Sequence, residues 1–104
     1  MTCKMDEPCY VYILVDPRND GKPFYVGISN NPRYRFYSHC HDRCSAVWDF
    51  LNFLTQNCDI ERDDILKIYE HCPNRSSAFD LEYRLVTTLP GLFNRPYRRG
   101  KSYA

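Results

Sequence analysis

Apolar and polar positions alternate most clearly near the start of the chain. CYVYILV, residues 9–15, puts Val11, Ile13 and Val15 on one face of a strand and Tyr10, Tyr12 and Leu14 on the other. DPRNDGKP then gathers turn formers. FYVGI, residues 24–28, reads as a second strand, with Phe24, Val26 and Ile28 opposite Tyr25 and Gly27. Together they predict a hairpin whose loop is longer than the tightest kind. The simplest pairing gathers Val11, Ile13, Val15, Phe24, Val26 and Ile28 into one core face. Tyr12 and Tyr25 are left together on the opposite face beside a glycine, forming a recess walled by two phenols.

After this hairpin the pattern becomes helical. Ser29, Asn30 and Asn31 are good cap formers and Pro32 suits a first helical turn, which predicts a helix over about 32–39. Arg35 and His39 then stand four apart on one face. A second helix over roughly 45–56 would bury Val47, Trp48, Leu51 and Leu54. DIERDD reads as a solvated connection, and ILKIYEH, residues 65–71, as a third strand. The last helix is expected over about 77–89, with Ser77 and Asp80 as a capping pair and Pro90-Gly91 as its stop. Its apolar stripe is Ala78, Leu81, Leu85, Val86 and Leu89, and Glu82 falls inside it. A carboxylate there is costly unless paired, hydrogen-bonded or bound to a cation. The order β-β-α-α-β-α describes a small α/β (α+β) domain filling residues 1–104, with its core at about 9–101.

Composition narrows the class without naming a function. With 104 residues there is room for one small core. Hydrophobic residues at 43% and charged residues at 26% fit a soluble globular protein and argue against disorder. The net charge of +1 hides an uneven distribution, because residues 90–104 hold Arg95, Arg98, Arg99 and Lys101 and no acid. Such an end can meet a polyanion. Six cysteines suggest a disulfide scaffold, yet MTCKMDEPC lacks a signal-type apolar stretch and no segment has bilayer length. The expectation is therefore a cytoplasmic protein without membrane contact, its thiols reduced and used mainly as small buried apolar groups. Each candidate also has a plain reading: packing tyrosines, a strand-ending glycine, a solvated helix face, and a glutamate paired with an arginine.

The order and spacing say more. Tyr10-Val11-Tyr12, Tyr25-Val26-Gly27, Arg35 eight after the glycine, His39 four after the arginine, AFDLEYRLV around Glu82, and LFN ending at Asn94 form one series. This series resembles the GIY-YIG nucleases from Cys9 to about Lys101. YILVDPRNDGKPFYVG looks closest to the branch of stand-alone bacterial and phage proteins and of the LEM-domain, ankyrin-repeat nucleases, associated with branched or otherwise non-duplex DNA. The resemblance implies a three-stranded antiparallel sheet flanked by helices, and a phosphodiester hydrolase acting on branched, flapped or single-stranded DNA, with RNA left open. It also implies one divalent cation, Mg2+ or Mn2+, held by Glu82. Arg35 would neutralise the phosphate, and Tyr12 and Tyr25 would orient the water, Tyr25 being the first choice of base. His39 would hold the phosphate or assist the leaving group, with Gly27 and Asn94 supporting. Arg33 and the basic tail, Arg95, Arg98, Arg99 and Lys101, would contact DNA. The protein would be a monomer or homodimer in a bacterial or phage-infected cell.

Some features depart from the family. The first motif is Tyr-Val-Tyr rather than Gly-Ile-Tyr, and Ile28-Ser29-Asn30-Asn31 stands where the branch has a glycine and a lysine. His41 is out of register with the second histidine of some members. Two rival readings remain at this level. Cys40, Cys44, His39, His41 and His71-Cys72 could hold a structural zinc in a non-catalytic nucleic-acid-binding module, though they lack a recurring pair of closely spaced ligands. A degenerate nuclease fold could also bind without cutting.

Overall fold

The computed structural model describes residues 7–94. Its three strands are β1 (Cys9–Asp16), β2 (Lys22–Ser29) and β3 (Leu66–Cys72), and its helices are α1 (Pro32–His41), α2 (Trp48–Asn52) and α3 (Arg75–Thr88). The strands form one antiparallel sheet in the order β2-β1-β3, with β1 central. The hairpin loop is a 3-10 turn over Pro17–Asn19, capped by the Asp16 carboxylate and closed by Asp20 and Gly21 at positive φ. Glycine meets no steric penalty in that conformation.

Helix starts follow from local chemistry. The side-chain oxygen of Asn31 accepts from the Tyr34 amide ahead of Pro32. Asn74 does the same for Ser77, so α3 begins at Arg75, two residues before the expected start, and Asn74 replaces the Ser77–Asp80 pair as its cap. The second helix is shorter than expected, and from Phe53–Asn57 the chain continues as a π-helical turn. Trp48, expected in the core, is half-buried with the Arg43 guanidinium 5.5 Å from its ring centroid.

Both faces of the sheet are covered, which the single-core-face pairing did not anticipate. Val11, Val26, Cys9 and Cys72 pack with Ala78 and Leu85 of α3, flanked by Ile13, Ile28, Leu81, Val86 and Leu89. On the other face Tyr12, Leu14 and Phe24 pack with Phe36, Val47, Leu51, Leu54 and Ile65. Phe24 thus lies on the tyrosine face. The register shifts between Leu14 and Val15, where Leu14 pairs with Tyr25 and Val15 with Pro23. A bulge supplies the extra residue that breaks strict alternation. Of the described cysteines, Cys9 and Cys72 are buried, Cys40 and Cys58 intermediate and Cys44 exposed, all as free thiols. The expectation of buried thiols therefore holds for the two that face each other across β1 and β3. Among the described residues no helix is long and apolar enough to cross a membrane.

Candidate active site

A cavity of about 410 Å³ opens where β2, α1 and α3 meet. Tyr12, Tyr25 and Gly27 come from the hairpin, Arg35 and His39 from α1, Glu82 from α3, and Asn94 from the segment after α3. Seven residues separated by up to 82 positions of sequence thus line one space. Tyr12 and Gly27 are direct cross-strand partners. A Cβ at Gly27 would overlap Cζ and the hydroxyl of Tyr12, so the missing side chain is the room in which that phenol lies.

Tyr12 is only 1% exposed, and its hydroxyl lies 3.0 Å from Nε2 of His39. The opposite ring nitrogen, Nδ1, lies 2.6 Å from Oγ of Ser45. A neutral imidazole offers one donor and one acceptor. Either Nδ1–H donates to Ser45 while Nε2 accepts from the Tyr12 hydroxyl, or Ser45 donates to Nδ1 and Nε2–H donates to Tyr12. Burial, with Arg35 nearby as a second cause, lowers the His39 pKa to about 4, so the ring is neutral at physiological pH. Burial is also the main reason that the Tyr12 phenol is raised well above its ordinary value. Tyr25 and Glu82 add to the rise and Arg35 opposes it. A standing Tyr12 phenolate is therefore disfavoured. The Tyr25 ring meets His39 edge-on, with centroids 4.9 Å apart, and lies 6.3 Å from the Tyr12 ring.

Asn94 braces the outer edge of β2. Its Oδ1 accepts from the Val26 amide at 2.9 Å and its Nδ2 donates to the Val26 carbonyl at 2.7 Å, as a further strand would. Phe93 donates from its amide to the Phe24 carbonyl at 2.7 Å. Arg35 of α1 is exposed and Glu82 of α3 half-buried, and both line the cavity. Arg33 points elsewhere, to an exposed ion pair with Asp63 at 3.4 Å, and does not line the cavity. Arg95, Arg98, Arg99 and Lys101 lie outside the described residues.

A match to a family model gives the class of the domain that holds this cavity. Residues 8–90 match the GIY-YIG catalytic domain. This chain belongs to the GIY-YIG family. No curated protein and no solved structure matched in the same comparisons. The family is one of nuclease-type catalytic domains, so nucleic acid is the implied substrate, and the three-stranded antiparallel sheet with its helices is a small domain of that type. GIY-YIG nucleases generally depend on a divalent metal. Among the described residues no group of three or more His, Cys, Asp or Glu side chains is arranged to hold an ion.

Several lining residues were not singled out from sequence: Ser45, Asp42, Arg75 and Phe79. Ser45 lay hidden because it sits in the turn between α1 and α2, held by its amide to the Asp42 carbonyl. No spacing in the chain announces its reach to His39. Arg75 and Phe79 carried a visible signal, since both stand at helical spacing from Glu82.

Proposed function

We propose that this GIY-YIG protein is a divalent-metal-dependent DNA endonuclease acting on branched, flapped or single-stranded substrates. The carrying observation is the hydrogen-bonded chain of buried Tyr12, buried His39 and half-buried Ser45, opening onto the cavity that Arg35 and Glu82 line. In-line attack on a phosphodiester builds negative charge on the non-bridging oxygens. Arg35, always charged and exposed to the cavity, can meet that charge with its planar fork.

Neutral His39 gives the Tyr12 proton somewhere to go. With Nδ1–H donated to Ser45, Nε2 accepts from the Tyr12 hydroxyl, which can accept a proton from the attacking water as it passes its own to the ring. The phenol stays neutral throughout, so its raised pKa is no obstacle. An incoming phosphate would offset the Arg35 charge that helps to hold His39 neutral, making the ring more basic when substrate is bound. This geometry supports Tyr12 as the proton-accepting tyrosine, with Tyr25 packed edge-on against His39 as an orienting group.

The donor set fits a hydrated magnesium- or manganese-like ion. Such ions take one or two carboxylates together with water and substrate phosphate oxygens, and the cavity offers Glu82 with Asp42 on the same lining. When bound, the ion would supply charge neutralisation at the phosphate. Glu82 would hold it, which gives a reason for a carboxylate at the margin of an apolar stripe.

The test compares single-stranded, duplex, flapped and four-way DNA, and single-stranded RNA, with magnesium, manganese or chelator. Cleavage should need the metal and favour a non-duplex DNA, and Arg35→Ala should lower it about a thousandfold. Glu82→Gln should do likewise. Cleavage that survives both substitutions would sink the assignment of these residues. Tight binding with no cleavage of any substrate would indicate a binding module instead.

A further inference from the structure

The cavity is longer than one phosphate requires. Its α3 wall carries Arg75, Phe79 and Glu82, spaced four and three apart and so on one helix face. From Arg75 to Glu82 this face runs about 10 Å along the axis. The volume of about 410 Å³ is in the range of pockets that enclose a whole small-molecule ligand. Cys44 and Ala46, both small side chains, are also in the lining. Phe79 is 44% exposed although it lines a cavity, and Tyr83, four residues on, is 44% exposed beside it. An exposed aromatic ring that shares one cavity lining with two arginines, Arg35 and Arg75, suits a polyanion that carries flat bases. A protein partner would not need both cationic forks.

We propose that Arg75 and Phe79 form a nucleotide subsite next to the scissile phosphate. Phe79 stacks on one unpaired base and Arg75 holds the adjoining backbone phosphate, with Tyr83 extending the aromatic surface outward. The proposal rests on reading the cavity as a phosphodiester site, and it gives that site a means of choosing its substrate. A base inside a duplex has both faces covered by its neighbours, so Phe79 can reach only a base that is unpaired or unstacked. Preference for an unpaired nucleotide is thereby built into α3, on the same face as the acidic residue of the catalytic cavity.

The test uses the full chain with chelator present and an oligonucleotide carrying 2-aminopurine in a single-stranded flank of a flapped DNA. Binding should quench the fluorophore. Phe79→Leu should abolish the quench and weaken binding about tenfold, while Phe79→Trp keeps both. Arg75→Gln should weaken binding, keep the quench and lower the salt slope by about one. Melting temperatures check that the exposed-site variants stay folded. A Phe79→Leu protein that quenches and binds like the parent overturns the subsite, as does an equal loss on plain duplex or no quench by the parent. The cleavage assay fails separately: a parent protein that quenches but never cuts keeps the subsite and loses the nuclease reading.

Discussion

The two faces of the sheet are built on different principles. Under α3 the layer is aliphatic side chains and thiols, Val11, Val26, Ala78, Leu85, Cys9 and Cys72, whose apolar contacts are not directional. Under α1 and α2 the layer mixes aromatic with aliphatic side chains and contains Tyr12 and His39, buried polar groups that need definite partners. They have them, at 3.0 Å and 2.6 Å, and among the described residues no buried side-chain nitrogen or oxygen lacks a hydrogen bond. An aliphatic layer accepts volume-conserving changes at small cost. A satisfied polar network fixes one arrangement and fails abruptly when a member is lost. The buried polar pair Tyr12–His39 therefore lies on the face whose contacts have direction, while Glu82 reaches the same cavity from α3.

The sharpest way to break this contrast is Tyr12→Phe. It keeps the ring in its slot beside Gly27 and removes only the hydroxyl that meets His39. Cleavage should fall about a thousandfold, whereas stability should fall by about 1–2 kcal/mol as Nε2 loses its partner. Unchanged turnover would return Tyr12 to a packing role.

Acid should distinguish the faces next. His39 has a folded pKa of about 4 against an ordinary 6.5, so between these values the unfolded chain binds more protons and stability rises with pH. The contribution is full above about pH 6.5, declines as pH falls through the window and is gone below about pH 4. Its total is about 3 kcal/mol. Urea unfolding across that range should show the slope in the parent protein and a flatter profile in His39→Gln.

Val11→Ala tests the opposite face. Val11 is fully buried against α3, and the lost methyl groups should cost about 2 kcal/mol of unfolding free energy. Turnover at temperatures where the variant is folded should be unaltered. The smallest effect belongs to Ser45→Ala, which leaves His39 and Tyr12 in place but frees Nδ1. The expected result is about a tenfold fall in kcat with KM unchanged and a shifted acidic limb of the pH profile. Ser45→Thr, which keeps a hydroxyl, should recover much of the loss. A variant that changes only thermal stability would make Ser45 a structural residue.

Much of this was legible because the deciding signals were local. Two strands around DPRNDG, Asn31 before Pro32, and the stripe from Ala78 to Leu89 each fix an element by short-range chemistry. The grouping of Tyr12, Tyr25, Gly27, Arg35, His39, Glu82 and Asn94 around one cavity also agrees with the order of motifs along the chain. Features set by register or approach were not legible. Alternation alone put Phe24 with Val26, because one bulged residue has no separate signature in FYVGI. Similarly, nothing in the sequence shows that Ser45, in the turn after α1, reaches back to His39. Helical spacing placed His39 on one face with Arg35 but gave no sign of its depth, 3% exposed.

The bond pair between Asn94 and Val26 has a temporal meaning. It spans 68 residues, whereas the hairpin that carries both tyrosines closes across a short turn. Contacts between residues so far apart must overcome more loop-closure entropy, and they form late on average. On a chain made from its N-terminus, the tyrosine wall can exist well before its outer edge is secured. The strand edge at Val26 stays an open template for pairing until Asn94 arrives. A single amide side chain thus works as a latch, closing the β2 edge at Val26 against other strands in the same step that completes the cavity.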